Sequence, residues 1–129
     1  VWDIAWKLVA LHLSADPSRL DLRQSDREKA YAIQRRIVDN LEEHTLIRDL
    51  AQEVLTNESH LKNIFSMVYG MGIHEYRIYE RLKKAIHLIK EGMTVKEAAR
   101  QTGWQSADLI KAYSKVYGTT PGTIKKKGK

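Results

Sequence analysis

A chain of 129 residues, 43% hydrophobic and 29% charged, is long enough for one ordinary domain or two very small ones. With no cysteine it holds neither a disulfide nor a thiolate metal site, and no apolar run approaches the roughly 18 to 20 residues that a membrane span needs. The net charge of +6 is uneven: residues 1–45 hold 7 Lys/Arg against 8 Asp/Glu, whereas residues 46–129 hold 15 against 8, an excess that points to a polyanion, nucleic acid before membrane.

The apolar spacing is helical almost throughout. A first helix, about 1–14, places Trp2, Trp6, Val9 and Leu13 on one face and ends before the loop "SADPSRLDL". The start has neither a basic leader nor an initiator Met, so a piece of a longer protein is expected, without a signal peptide. The next helix, within 25–44, opens on a Ser25–Glu28 capping box and lines Ala30, Ile33, Ile37 and Leu41 along one stripe.

From residue 45 the elements shorten. "TLIRDLAQEV" predicts a helix of two to three turns, and Asn57 caps a second, "ESHLKNIFSMV", with Leu61, Ile64, Phe65 and Val68 inward. Gly70 and Gly72 stop it. A longer helix, about 74–91, follows, with Ile78, Leu82, Ala85, Ile86 and Ile89 on its apolar face. Thr94 and Glu97 form a second capping box at "TVKEAARQ", Gly103 breaks that helix, and "SADLIKAYSKVY" is the last.

The pentapeptides "SMVYG" (66–70) and "SKVYG" (114–118) expose a duplication. With an offset of 48 and no gaps, 47–70 lies over 95–118 with 6 identities in 24 positions, where chance gives one or two. Ala51 meets Ala99 and Leu61 meets Leu109. Each copy is a short helix, a break and a second helix, with a small residue where two steeply crossing helices approach. That is the pattern of a helix-turn-helix. The intervening helix of roughly 18 residues is about 27 Å long, near the roughly 34 Å of one DNA turn once element widths are added.

The stretch 46–121 resembles the C-terminal DNA-binding domain of AraC/XylS-type transcription regulators. The resemblance rests on "LIRDLAQEV", "HLKNIFSMVYGMGIHEY", "RLKKAIHLI", "VKEAARQTGW" and "YGTTP". It departs in Leu55, where the family commonly has Gly, and in Ala98, which replaces a larger aliphatic. It also departs in one residue missing between Trp104 and Leu109, which should displace the start of the second reading helix. The resemblance implies an all-α fold of two helix-turn-helix subdomains joined by a long linker helix and preceded by one or two further helices. Residues 1–24 are then the end of an N-terminal sensor region, 25–44 a linker helix, and 45–129 the DNA-binding domain. Within that domain lie a first helix-turn-helix (45–72), the linker helix (73–92), a second helix-turn-helix (93–121) and a basic tail (122–129).

Family positions that contact bases map onto Ser59, Lys62 and Asn63 in the first unit and onto Ser106, Ala107, Ile110 and Lys111 in the second. Asn63 suits adenine, Lys62 guanine or phosphate, and Ile110 a thymine methyl or, equally, a minor core contact. The first unit is expected to supply more of the sequence specificity. Asp108 fits the first turn of its helix better than a cytosine. Arg48, Lys96, Arg100, Lys115 and the lysine tail are candidates for phosphate, while Arg81 is expected to tie the two units together and Trp104 to be core. The implied partners are double-stranded promoter DNA, RNA polymerase and an N-terminal sensor domain, with a homodimer allowed for the full-length protein. No membrane, cofactor or metal is expected, and the location is cytoplasmic. The five histidines never pair at i+4 and no carboxylates converge on a catalytic base, so no enzyme is expected. The competing reading is a helical interaction module whose Trp2/Trp6 helix binds a protein.

Overall fold

The computed structural model describes residues 22–126, so the expected helix at 1–14 and the last lysines, Lys127 and Lys129, lie outside the described residues. Among the described residues the chain is all-helical. It comprises α1 (Gln24–Asp39), α2 (Ile47–Glu53), α3 (Glu58–Tyr69), α4 (Ile73–Lys90), α5 (Val95–Gln101), α6 (Ser106–Tyr117) and a 3-10 turn at Pro121–Thr123.

The chain divides into two compact units. One contains α1 and Thr45–Arg77, hence α2, α3 and the first residues of α4. The other contains the strap Leu41–His44 and everything from Ile78 onward. In the first unit Ala30, Ile33 and Ile37 of α1 are buried, as are Leu50, Ala51, Leu61, Ile64, Phe65 and Tyr76, and α1 packs on α3. The rings of Phe65, Tyr69 and Tyr76 lie 4.7–5.8 Å apart, and Gln34 donates to the Tyr76 hydroxyl at 2.9 Å. In the second unit Leu82, Ala85, Ile89, Ala98, Ala99, Leu109 and Tyr113 form the core, with Trp104 packed at its edge. Tyr76 and Tyr79 are buried on α4, whereas Ile78 and Ile86, expected on its apolar face, are only half-buried.

The duplication is carried into the backbone residue by residue. Helices α2 and α5 have the same length, as do α3 and α6, each pair offset by 48 positions. At the start of α6 Gln105 takes the capping place that Asn57 holds in the first unit. The turn between helices is duplicated too. Thr56 N–H donates to Ala51 O and Trp104 N–H to Ala99 O, both at 2.9 Å, closing the same six-residue loop around a left-handed residue.

That left-handed position is Gly103 in the second unit (φ 82°) but Leu55 in the first (φ 57°). A left-handed L-residue costs about 1–2 kcal/mol, of which glycine's extra unfolded entropy returns about half. Leu55 is also 89% exposed, so its side chain buries nothing in compensation. Leu55→Gly should therefore stabilise the protein by about 0.5–1 kcal/mol, read as a raised denaturation midpoint. An unchanged or lowered midpoint would mean that Leu55 makes a stabilising contact.

Two capping expectations are corrected. Helix α1 begins at Gln24 with Arg23 as its extended N-cap, so Ser25 is already inside the helix and the Ser25–Glu28 box does not form. Glu28 instead takes a bond from Gln24 one turn back, and the first turn is tied to α3 by Asp26 and His60. At α5 only half of the expected box is made. Thr94 accepts from Glu97 N–H at 3.1 Å, but the Glu97 carboxylate turns to Arg100. The helix expected to run to residue 44 ends at Asp39, where Asn40 folds its side-chain amide back onto Arg36 O.

Candidate nucleic-acid interface

In an αα corner the second helix is held by its apolar side and its opposite side is free to enter a groove. On α3, Leu61, Ile64 and Phe65 are buried and Val68 half-buried, which leaves Ser59, Lys62, Asn63 and Ser66 outward. Their spacing (i, i+3, i+4, i+7) puts them on one stripe. Asn57 accepts from His60 N–H at 2.8 Å and so fixes the helix end from which the stripe starts.

On α6, Leu109 and Tyr113 are buried, and the corresponding stripe is Ala107, Ile110, Lys111 and Ser114. Ala107, Ile110 and Lys111 are exposed; Ser106 and Ser114 are half-buried. Ile110 is an exposed large apolar side chain, so of the two alternatives for it the minor core contact falls away. Asp108 accepts from Gln105 N–H at 3.1 Å and is occupied as a cap. The two stripes differ in chemistry: Ser59, Lys62 and Asn63 of the first stand at the positions of Ala107, Ile110 and Lys111 in the second. A serine, a lysine and an amide offer more directional hydrogen bonding than an alanine, an isoleucine and a lysine.

Two of the candidate cations already have partners. Lys62 Nζ lies 3.1 Å from Glu58 Oε1, and Arg100 pairs with Glu97. That hydrogen bond holds the Glu97 carboxyl below the usual carboxylate range and raises Arg100 above its ordinary value. Exposed pairs three or four residues apart are screened by water and salt and add little stability, so either cation can exchange its carboxylate for an anion. Glu58 and Glu97 were not among the candidates, although their spacing to Lys62 and Arg100 carries the signal.

Arg48 and Lys96, both exposed, are repeat equivalents at the second residue of α2 and of α5, and Lys115 is exposed on α6. Lys125 and Lys126 of the tail are exposed as well. Arg81 is structural. It is buried, and its guanidinium donates to Leu41 O and Glu43 O, both at 2.7 Å, holding the strap of its own unit. In the first unit Arg77 donates to Thr45 O at 3.0 Å, a bond that nothing in the sequence marked. Among the described residues no three His, Asp or Glu side chains gather as metal ligands, and no helix is long and apolar enough to cross a membrane.

Comparison with known proteins places this geometry. Over 90 residues the chain is 27% identical to an uncharacterized HTH-type transcriptional regulator of Bacillus subtilis, YfiF. The match covers 69% of this chain but only 29% of that protein. Its fold is similar to that of the C-terminal domain of the two-component response regulator yesN from Fusobacterium nucleatum, with a TM-score of 0.69 and 20% identity over 77% of this chain and 99% of that one. It is also similar to the DNA-binding domain of AdpA, solved in complex with a target DNA. There the TM-score is 0.68 and the identity 18%, over 73% of this chain and 86% of that one. A DNA-binding transcriptional dual regulator from Escherichia coli K-12 gives a TM-score of 0.63 at 22% identity, over the same shares. The model of the helix-turn-helix domain family matches residues 50–127. With more than half of its length in that match and its corners built as described, the chain belongs to the helix-turn-helix domain family, of the AraC type.

Proposed function

We propose that this chain is the DNA-reading part of a transcription regulator, with α3 and α6 entering successive major grooves. The observation that carries the reading is the duplicated corner. Two equivalent turns each bury one side of a following helix and leave exposed Ser59, Lys62 and Asn63 on one and, at the same helix positions, Ala107, Ile110 and Lys111 on the other. A packing duplication alone would not require both stripes to stay uncovered. Arg48 and Lys96 recur at the same place in the two units, where phosphate contacts would fix the register of each helix in its groove. The solved AdpA domain holds a target DNA, and the same mode of use is proposed here.

The first corner supplies most of the sequence discrimination, because Asn63 and Lys62 are the base readers with directional bonds. The whole protein is a bacterial, cytoplasmic activator. In this reading a sensor region preceding residue 25 controls it, RNA polymerase is its target once it is bound to a promoter, and a homodimer is allowed for the full-length protein.

Fluorescence titration with duplex DNA tests the reading. Binding should weaken steeply between about 50 and 200 mM salt, because each neutralised phosphate releases counterions. Asn63→Ala and Lys62→Ala should each lower affinity for a duplex selected from a random library by about tenfold, within the roughly 1–3 kcal/mol of a good base contact. Their affinity for unselected duplex should change much less. Equal losses on both duplexes would remove these two residues as base readers. Absence of any salt-dependent binding would favour a protein-interaction module instead.

A further inference from the structure

Beyond the reading stripes, the start of α1 carries two cations, Arg23 and Lys29, that no ion pair among the described residues uses. Asp26 Oδ1 lies 3.0 Å from His60 Nε2, so the first turn of α1 sits beside the first turn of α3, the end from which Ser59, Lys62 and Asn63 project. The bond to His60 holds the Asp26 carboxyl below its ordinary range, and Lys29 and Arg23 are near enough to contribute to that shift.

Of the carboxylates in this neighbourhood, Glu58 is paired with Lys62, Asp26 is bonded to His60, and Glu28 accepts only from the neutral amide of Gln24. Farther along α1 the arginines are engaged as well, Arg35 with Asp39 at 3.3 Å and Arg36 with Glu53 at 3.0 Å. No ion pair among the described residues uses Arg23 or Lys29. Arg35 and Arg36 are thus paired toward the far end of α1, whereas Arg23 and Lys29, at the end next to the groove-entering terminus of α3, are in no ion pair among the described residues.

We infer that Arg23 and Lys29 hold DNA phosphates beside the groove entered by α3, so that the helix preceding the first corner is part of the DNA interface. This rests on the DNA-binding reading above. Duplex DNA presents a phosphate every 3.4 Å or so along each strand; Arg23 is exposed and Lys29 half-buried, and in helix-turn-helix docking a helix packed on the groove-bound one crosses the backbone. The contact is one of charge, without base reading, and adds affinity and orientation.

The test is the salt dependence of binding to a random-sequence duplex of about 25 base pairs, long enough for two successive grooves. The double variant Arg23→Gln/Lys29→Gln should lower the slope of log K against log salt by about 1–2, close to 0.9 for each phosphate that the protein no longer neutralises. Arg35→Gln, which removes one charge from the far end of the same helix, should leave the slope at the wild-type value. Thermal melts of both variants should stay close to wild type. An unchanged slope in the double variant overturns the inference, as does an equal fall in Arg35→Gln, which would reveal a general charge effect. If the wild-type chain binds no duplex at any salt, the DNA reading itself fails, a result distinct from either of these.

Discussion

Gly103→Ala should unfold the second corner more readily by about 3 kcal/mol, lowering the melting temperature by roughly 10 °C. Two effects add. Gly103 sits at φ 82°, where an alanine pays the steric penalty of the left-handed region, about 1 kcal/mol or more. A Cβ there would also stand 2.7–2.9 Å from the O, Cα and C atoms of Glu42. Those are backbone atoms of the strap, and they cannot swing aside as a flexible side chain would. The strap is held in turn by Arg81 and by burial of Leu41, so the collision is relieved only by displacing it. Leu55 is the internal control. It occupies the equivalent turn with a much larger side chain in the same backbone region and is 89% exposed, so its side chain points into open space. A melt of Gly103→Ala within two or so degrees of wild type would show that the strap does not press on this turn.

Arg81→Met should be nearly as severe, with a loss of about 2–4 kcal/mol. Methionine keeps much of the aliphatic stem but none of the donors. Leu41 O and Glu43 O each lose a 2.7 Å bond from a charged group, and such bonds are worth about 1.5–3 kcal/mol apiece, less than additively for two on one side chain. The acceptors are main-chain carbonyls, so no rearrangement of side chains removes the demand for a donor. Arg81→Lys should recover part of the loss, since an ammonium reaches one carbonyl but lacks the planar fork that serves two. Chemical denaturation of the three proteins measures this order. Arg81→Met equal to wild type would mean that water satisfies both carbonyls and that the strap needs no clamp.

Because Gly103 and Arg81 act on the same four residues from different sides, their effects should couple. The double variant should lose less than the sum of the two singles, since a strap already displaced by alanine no longer presents its carbonyls to Arg81.

How much of this was legible in the sequence depends on the distance over which each feature is decided. The two corners, their length, the Asn57 cap and the buried sides of α3 and α6 follow from periods and caps a few residues long, and the offset of 48 doubled the signal. The Ser25–Glu28 box failed for the converse reason. Its local pattern was sound, but Asp26 is recruited by a histidine 34 positions away, and a tertiary bond of that kind outweighs the choice between two neighbouring start positions. Helix α1 likewise stops at Asp39 although Leu41 continues its apolar stripe, because Leu41 and the strap are packed and clamped in the second unit.

By itself, then, the sequence determined the element types, the duplication and which side of each reading helix is apolar. All of these depend on side-chain periodicity along a single helix. Only the tertiary structure decided that Arg81 clamps a strap, that the turn at 103 lies against Glu42 while Leu55 is exposed, and that α1 begins beside the first turn of α3. Each of those turns on the approach of atoms from residues 34 or more positions apart, and a linear pattern holds no record of such distances.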